Sequence, residues 1–309
     1  MKFYQQILLP SLKKSLTTSM WLLKIILPIS LVVRFLDYFG VLTVIGSILD
    51  PVFVFLGLPG STGIVFITSI FLPLYAPIAI LTSMSVTLRE LTILALMCQI
   101  THNIPVESSI QARTGTPFWR TATVRIIMSI VVGFVLNLIL PKEMGMPIFA
   151  VTDPAEITTI SNVLIAWLTT SLTIAALILM IIAALNVLYA VLVSFNMVDK
   201  LSQTIAPLLR MFGLPKSTGF LWLIGYIVGL AYGGALMVEQ LKDGTVNKND
   251  ATLLNYHLAM SHSVIEDSLL FVVLGVSFWW IVGVRLVAAW TVVWCARLFN
   301  HLGNSEKCQ

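Results

Sequence analysis

Two near-identical heptapeptides, Gly57-Leu58-Pro59-Gly60-Ser61-Thr62-Gly63 and Gly213-Leu214-Pro215-Lys216-Ser217-Thr218-Gly219, agree at six of seven positions and stand 156 residues apart. Each breaks a helix between long apolar runs, because proline lacks an N–H and glycine accepts positive φ. The runs on either side belong to a chain of 309 residues that is 58% hydrophobic and 10% charged, with a mean hydropathy of +0.97. That composition is the composition of an integral membrane protein. In a bilayer, open backbone is tolerated only against protein or beside a polar cavity. The two tips are therefore expected to mark the polar centre of a membrane transporter.

The net charge of +4 comes from Lys and Arg expected at the cytoplasmic membrane surface, and no basic face for nucleic acid is visible. Cys98, Cys295 and Cys308 are an odd set and do not read as a disulfide framework. Met1 to Ser19 is amphipathic and lacks a small-residue cleavage site, so it reads as a retained interfacial helix or as the first turns of the next helix.

Along the chain, Met20–Tyr38 reads as a first span, and Val41–Leu56 leads to the first tip. Ile64–Met84 reads as one helix kinked at Pro73 and Pro77, and Gln111–Arg120 as a basic loop before a span from about Thr121 to Leu140. Ile160–Asn196 is long enough for a tilted helix or for more than one segment. Phe220–Val238 reads as a glycine-rich helix, Glu239–Asp250 as a polar loop, and Leu269–Phe299 as the last spanning material.

Several unrelated features repeat at nearly one offset. Pro51 and Gly57 match Pro207 and Gly213 at 156 residues, His102 and Arg125 match His262 and Arg285 at 160, and Glu107 matches Glu266 at 159. Two halves follow, residues 1–150 and 151–309, divided near Asp153-Pro154. Lys2, Lys13 and Lys14 place the N-terminus inside, Arg113, Arg120 and Arg125 place the next basic loop inside, and Lys200, Arg210, Arg297 and Lys307 do the same in the second half. The expected fold is thus an all-α integral membrane protein, a multi-pass helical bundle of two inverted-topology repeats with broken or re-entrant helices. Its expected place is the cell membrane, the bacterial inner membrane, with both termini cytoplasmic.

Polar chemistry concentrates at four places. Ser61, Thr62, Ser217 and Thr218, with Gly60 and Asn103, are the expected solute contacts, through hydroxyls and the free N–H groups of helix starts; the bland alternative is that Ser and Thr only cap the next helix. His102 and Glu107, with His262, Glu266 and Asp267, are ionisable groups among apolar helices, where charge is costly and usually functional. They read as couplers for Na⁺ or H⁺, or as ligands for a divalent transition metal with Cys98 one turn before His102, or as locally paired helix ends. His262 and Glu266 are neighbours if their helix is continuous, whereas Pro105 breaks that geometry in the first half. No catalytic triad, zinc-protease motif or phosphate-binding loop is present, so no enzyme is expected.

The Gly-Leu-Pro-Gly tip, the apolar helix after it, Thr87-Leu88-Arg89-Glu90-Leu91-Thr92 and the stretch from His102 to Gly115 resemble the nucleoside-recognition or Gate domain proteins. That family includes spore-maturation-type membrane proteins and is similar to parts of concentrative nucleoside transporters and of the ferrous-iron transporter's membrane domain. The resemblance runs from about Val41 to Gly115, and more weakly from Gln203 to Phe271. It implies a permease for a small polar solute such as a nucleoside, with Fe²⁺ or Mn²⁺ transport or a non-transporting scaffold as alternatives. The expected partners are the lipid bilayer, the solute or ion, and a second copy in a homodimer. No Gly-x-x-x-x-Gly-Lys-Ser/Thr loop of a GTP-binding domain is found, so a nucleotide-driven iron pump is not supported.

Overall fold

The computed structural model describes residues 8–147, 159–194 and 204–305. The expected division at Asp153-Pro154 and the charges of Lys2, Lys200 and Lys307 lie outside them. Among the described residues all regular structure is helical. In order the helices are α1 (Leu9–Tyr38), α2 (Val41–Phe53), α3 (Gly63–Phe71), α4 (Tyr75–Leu81), α5 (Leu88–Thr101), α6 (Ile104–Arg113) and α7 (Phe118–Ile139). They continue with α8 (Ile160–Ser194), α9 (Ala206–Met211), α10 (Gly219–Ile227), α11 (Leu230–Lys242), α12 (Lys248–Met260), α13 (Val264–Val272) and α14 (Phe278–Ser305).

By length and composition, 2 described helices can cross a membrane, over Phe118–Ile139 and Phe278–Phe299. A third span arises if the pair Thr43–Leu56 and Gly60–Phe71, bent by 97°, counts as one broken span. The bend is the first tip. Gly57 has φ 67°, its N–H donates to Val54 O at 3.0 Å, and Leu58 N–H donates to Phe53 O at 3.1 Å. This is the glycine helix stop in which two turn N–H groups close the last carbonyls. Gly213 repeats it with φ 71°, donating to Arg210 O at 2.9 Å while Leu214 donates to Leu209 O at 2.8 Å.

Several elements differ from the expected ones, each for a local reason. α1 is continuous through Ser19, with no break between an interfacial piece and a span. Ile64–Met84 is two helices: Pro73 drives Leu72 to φ −123°, ψ 158°, which ends α3. The glycine-rich helix divides at Gly229, whose φ of 95° and ψ of 177° suit glycine alone. Gln111–Arg120 is mostly helix, the end of α6 and the start of α7 around a short turn, and Arg125 lies inside α7. α5 and α12 are both started by a side-chain cap. Thr87 and Glu90 exchange bonds of 3.2 and 2.7 Å in a capping box, and Asn247 Oδ1 accepts from Asp250 N–H at 2.9 Å.

The chain forms two compact units. The first holds residues 1–103, 129–190 and 266–281, with α5 as its axis: Leu91 to Thr101 is buried without interruption. A helix buried on every side needs no polar face, which is why α5 lacks an amphipathic pattern. α3 packs on α5, and α4 on α1. Arg89 holds the tip here, donating through Nη2 to the backbone and side-chain oxygens of Asn137 at 2.7 Å each, while Asn137 Nδ2 donates to Phe55 O at 3.0 Å.

The second unit holds residues 104–128, 191–265 and 282–309, and its axis is α12, buried from Leu253 to Met260. Asn255 ties the turn after α6 to this axis, donating to Thr114 Oγ1 at 2.8 Å and Thr116 Oγ1 at 2.9 Å, while Gln111 Nε2 donates to Asn255 O at 2.7 Å. Trp294 Nε1 donates to Met211 O at 3.1 Å and holds the end of α9 before the second tip.

Candidate functional site

In the second unit, α6 starts just after the left-handed Asn103 (φ 51°), with Pro105 in its first turn, where a missing N–H costs nothing. Its first turn carries Glu107 inward, 8% exposed. α7 begins at Phe118, and its eighth residue, Arg125, is fully buried. At 1.5 Å per residue that is about 10 Å from the helix start. An arginine so deep in a candidate span requires an anionic partner. It has one: Arg125 Nη1 lies 2.7 Å from Glu107 Oε2.

The second carboxylate oxygen faces His262. α12 ends at Met260, and the turn Ser261-His262-Ser263, with Ser263 at φ 45°, carries His262 out of the helix. His262 Nδ1 lies 2.7 Å from Leu258 O, and because a carbonyl only accepts, Nδ1 carries a hydrogen. Nε2 lies 3.2 Å from Glu107 Oε1. A neutral ring with its hydrogen on Nδ1 would set a lone pair against a carboxylate lone pair. A hydrogen between Nε2 and Oε1 would make this contact a hydrogen bond. Arg285, fully buried on α14, donates from Nε to Met260 O at 3.2 Å and from Nη2 to His262 O, closing the carbonyls that the end of α12 leaves open.

The first unit carries a related set. His102 follows the end of α5, with Nδ1 3.0 Å from Gln99 O and Nε2 4.0 Å from Asp267 Oδ2. Gln99 Nε2 donates to Asp267 O at 3.0 Å, and Tyr75 Oη donates to Glu266 Oε1 at 2.7 Å. In both sets a histidine sits at a helix break, bonds a carbonyl of the preceding turn through Nδ1 and turns Nε2 to a carboxylate.

The continuous helix that would make His262 and Glu266 neighbours does not form. The helix breaks at Ser261–Ser263 in the second half as it does at His102–Asn103 in the first, so the break needs no proline. Asn103 serves this break through its backbone, its N–H donating to Ser69 O at 2.8 Å.

At the tips the hydroxyls are engaged locally. Thr62 Oγ1 donates to Pro59 O at 2.6 Å and Thr218 Oγ1 to Pro215 O at 2.8 Å, both side chains fully buried. Neither gives a side-chain cap to its helix. Ser217 is exposed and donates to Asp250 Oδ2 at 2.9 Å; Ser61 is half-buried. Gly60 N–H donates to Asp50 Oδ1 at 2.6 Å.

Three groups near these sites went unassigned in the sequence. Arg125 read as a topology marker and Arg285 as its repeat partner, although an arginine seven residues inside an apolar helix is itself the signal of a buried pair. Tyr226 Oη bridges His257 Nε2 at 2.7 Å and Ser261 Oγ at 2.8 Å beneath Trp222, whose ring stacks on Tyr226 with centroids 4.0 Å apart. No first-half counterpart exists, since Met97 stands at the position matching His257, so the repeat gives no hint of it.

Residues 19–114 match the family model described as nucleoside recognition, the Gate domain. The chain is 29% identical over 291 residues to the uncharacterized membrane protein YvoD of Bacillus subtilis (strain 168), covering 92% of each chain. No solved structure matches. Residues 19–114 are thus similar to a Gate domain, and both comparisons, with the apolar helices, support a membrane location.

Proposed function

We propose that this Gate-domain membrane protein is a permease of the cell membrane that moves a small polar solute, of the nucleoside class, by proton-coupled secondary transport. The observation that carries the reading is the buried 3.2 Å contact of Glu107 with His262, a carboxylate and an imidazole placed to share a proton, beside the fully buried Arg125. A proton taken up and released there changes the charge of the cluster, which is how intramembrane carboxylates and histidines couple ion flow to movement. The guanidinium on Glu107 Oε2 repels a second cation at that carboxylate, which favours a proton over Na⁺ or a divalent metal.

The inverted repeat is part of the proposal and has local support. Gly57 and Gly213 stop their helices in one way, and Gly115 (φ 99°) and Gly275 (φ 106°) do so in another matched pair, 160 residues apart. Asn103 and Ser263 share positive φ at the same offset, so Glu107 answers to Asp267 rather than to Glu266. The two halves then present matched helix breaks, the usual setting of a transporter site. Both termini are taken as cytoplasmic.

The test is uptake into proteoliposomes of a nucleoside panel, and separately of Fe²⁺ or Mn²⁺, each under a proton gradient, a sodium gradient or neither. Nucleoside uptake driven by the proton gradient supports the reading. Uptake driven by sodium alone, movement of the metals alone, or no movement at all contradicts it.

A further inference from the structure

Within the second unit, α7, α12 and α14 enclose an open groove of about 470 Å³, inside the range of roughly 300–1,000 Å³ common for small-ligand sites. Two of its three walls belong to the helices able to cross a membrane. On α7 the lining residues Arg120, Val124 and Met128 fall four apart and so share one helix face. Tyr256 on α12 and Cys295 and Phe299 on α14 supply the facing walls. Arg120 sits in the first turn of α7, is exposed, and forms no ion pair among the described residues. From Arg120 to Met128 the groove follows α7 for about 12 Å.

We infer that this groove binds one anionic phospholipid, its phosphate on Arg120 and an acyl chain laid along Val124 and Met128. The charge order carries the inference. One unpaired cation stands at the end of a spanning helix, where headgroups lie, and the wall beyond it is mainly apolar and runs parallel to that helix. Basic pockets between spanning helices take anionic headgroups for this reason. A nucleoside would leave its ring nitrogens and hydroxyls against Val124, Ile127, Met128 and Val292, whereas an acyl chain leaves nothing unsatisfied there. Tyr256 stands within the lining as a donor for an ester carbonyl, whereas the hydroxyls of Thr252 and Thr291 already donate to Lys248 O at 2.8 Å and Val287 O at 2.9 Å. This inference does not rest on what the protein transports.

Cys295 gives a direct readout, because it lines the groove and is exposed while Cys98 is buried. The experiment measures the rate of maleimide labelling of Cys295 in a Cys308→Ser protein held in nanodiscs of phosphatidylglycerol or of phosphatidylcholine. Phosphatidylglycerol is expected to slow labelling about fivefold relative to phosphatidylcholine, the effect of one cation facing an anionic headgroup. Arg120→Gln is expected to abolish the difference and Arg120→Lys to keep most of it. Native mass spectrometry is expected to show one fewer retained phosphatidylglycerol in Arg120→Gln. Equal labelling in the two lipids, or undiminished protection in Arg120→Gln, overturns the inference. So does protection by inorganic phosphate alone, which marks a headgroup-only anion site, and so does protection by a nucleoside in phosphatidylcholine, which assigns the groove to the solute.

Discussion

Replacing Arg125 by leucine removes a fully buried guanidinium and leaves Glu107, 8% exposed, without the cation that lies 2.7 Å from it. Deleting one partner of a buried ion pair costs about 3–5 kcal/mol, because the other charge stays desolvated. His262 still faces Glu107 at 3.2 Å and offsets part of that loss, so Arg125→Leu belongs at the lower end, about 3 kcal/mol. The double variant Arg125→Leu/Glu107→Leu removes both charges of this pair, and the loss of a partner by His262 Nε2 costs about 1–3 kcal/mol. The double variant should therefore be no less stable than Arg125→Leu alone, a non-additivity that a double-mutant cycle reads directly. Unfolding in mixed detergent micelles, followed by the fluorescence of the 8 tryptophans, provides the assay. A single variant within about 0.5 kcal/mol of the parent, or a double variant at the sum of the singles, refutes the ion pair as a source of stability.

Two further outcomes follow from local geometry. Gly57→Ala forces a side chain into φ 67° and drives its methyl into the Asn137 carboxamide and Arg89, whereas Gly40→Ala at φ 74° meets nothing within 4 Å. Both lose about 1–2 kcal/mol to the left-handed backbone, and thermal unfolding should show Gly57→Ala as the clearly worse of the two. Tyr226→Phe strips His257 Nε2 and Ser261 Oγ of a shared partner, so unfolding measurements should show a loss of about 1–3 kcal/mol, with Trp222→Phe at the stacked neighbour losing less.

The helix stops were legible because their signals are local. Glycine after an apolar run gives Gly57 and Gly213, and Thr87 with Glu90 gives the start of α5. The all-helical membrane character followed from composition. The site was legible in its residue types and not in its pairings. Glu107 meets His262, 155 residues away, and no spacing rule reaches across that distance. The break at Ser261–Ser263 has no proline or glycine, and the left-handed Ser263, whose N–H donates to Gly225 O at 2.9 Å, is held by a tertiary bond that sequence does not display. Arg125 was read with Arg113 and Arg120 as loop charge because the start of α7 is only two residues before Arg120. One more turn carries Arg125 from the headgroup level into the apolar interior, and the meaning of its charge changes with that depth.

In the proposed transport cycle the Glu107–His262 contact carries a proton coupled to solute movement. Its most direct test is proteoliposome uptake of the transported nucleoside with a pH-sensitive dye inside the vesicles and no imposed ion gradient. Solute entry is expected to acidify the lumen, and Glu107→Gln and His262→Gln to abolish the acidification while solute exchange at equilibrium persists. Solute entry with an unchanged luminal pH, or acidification of parental size in Glu107→Gln, would contradict it.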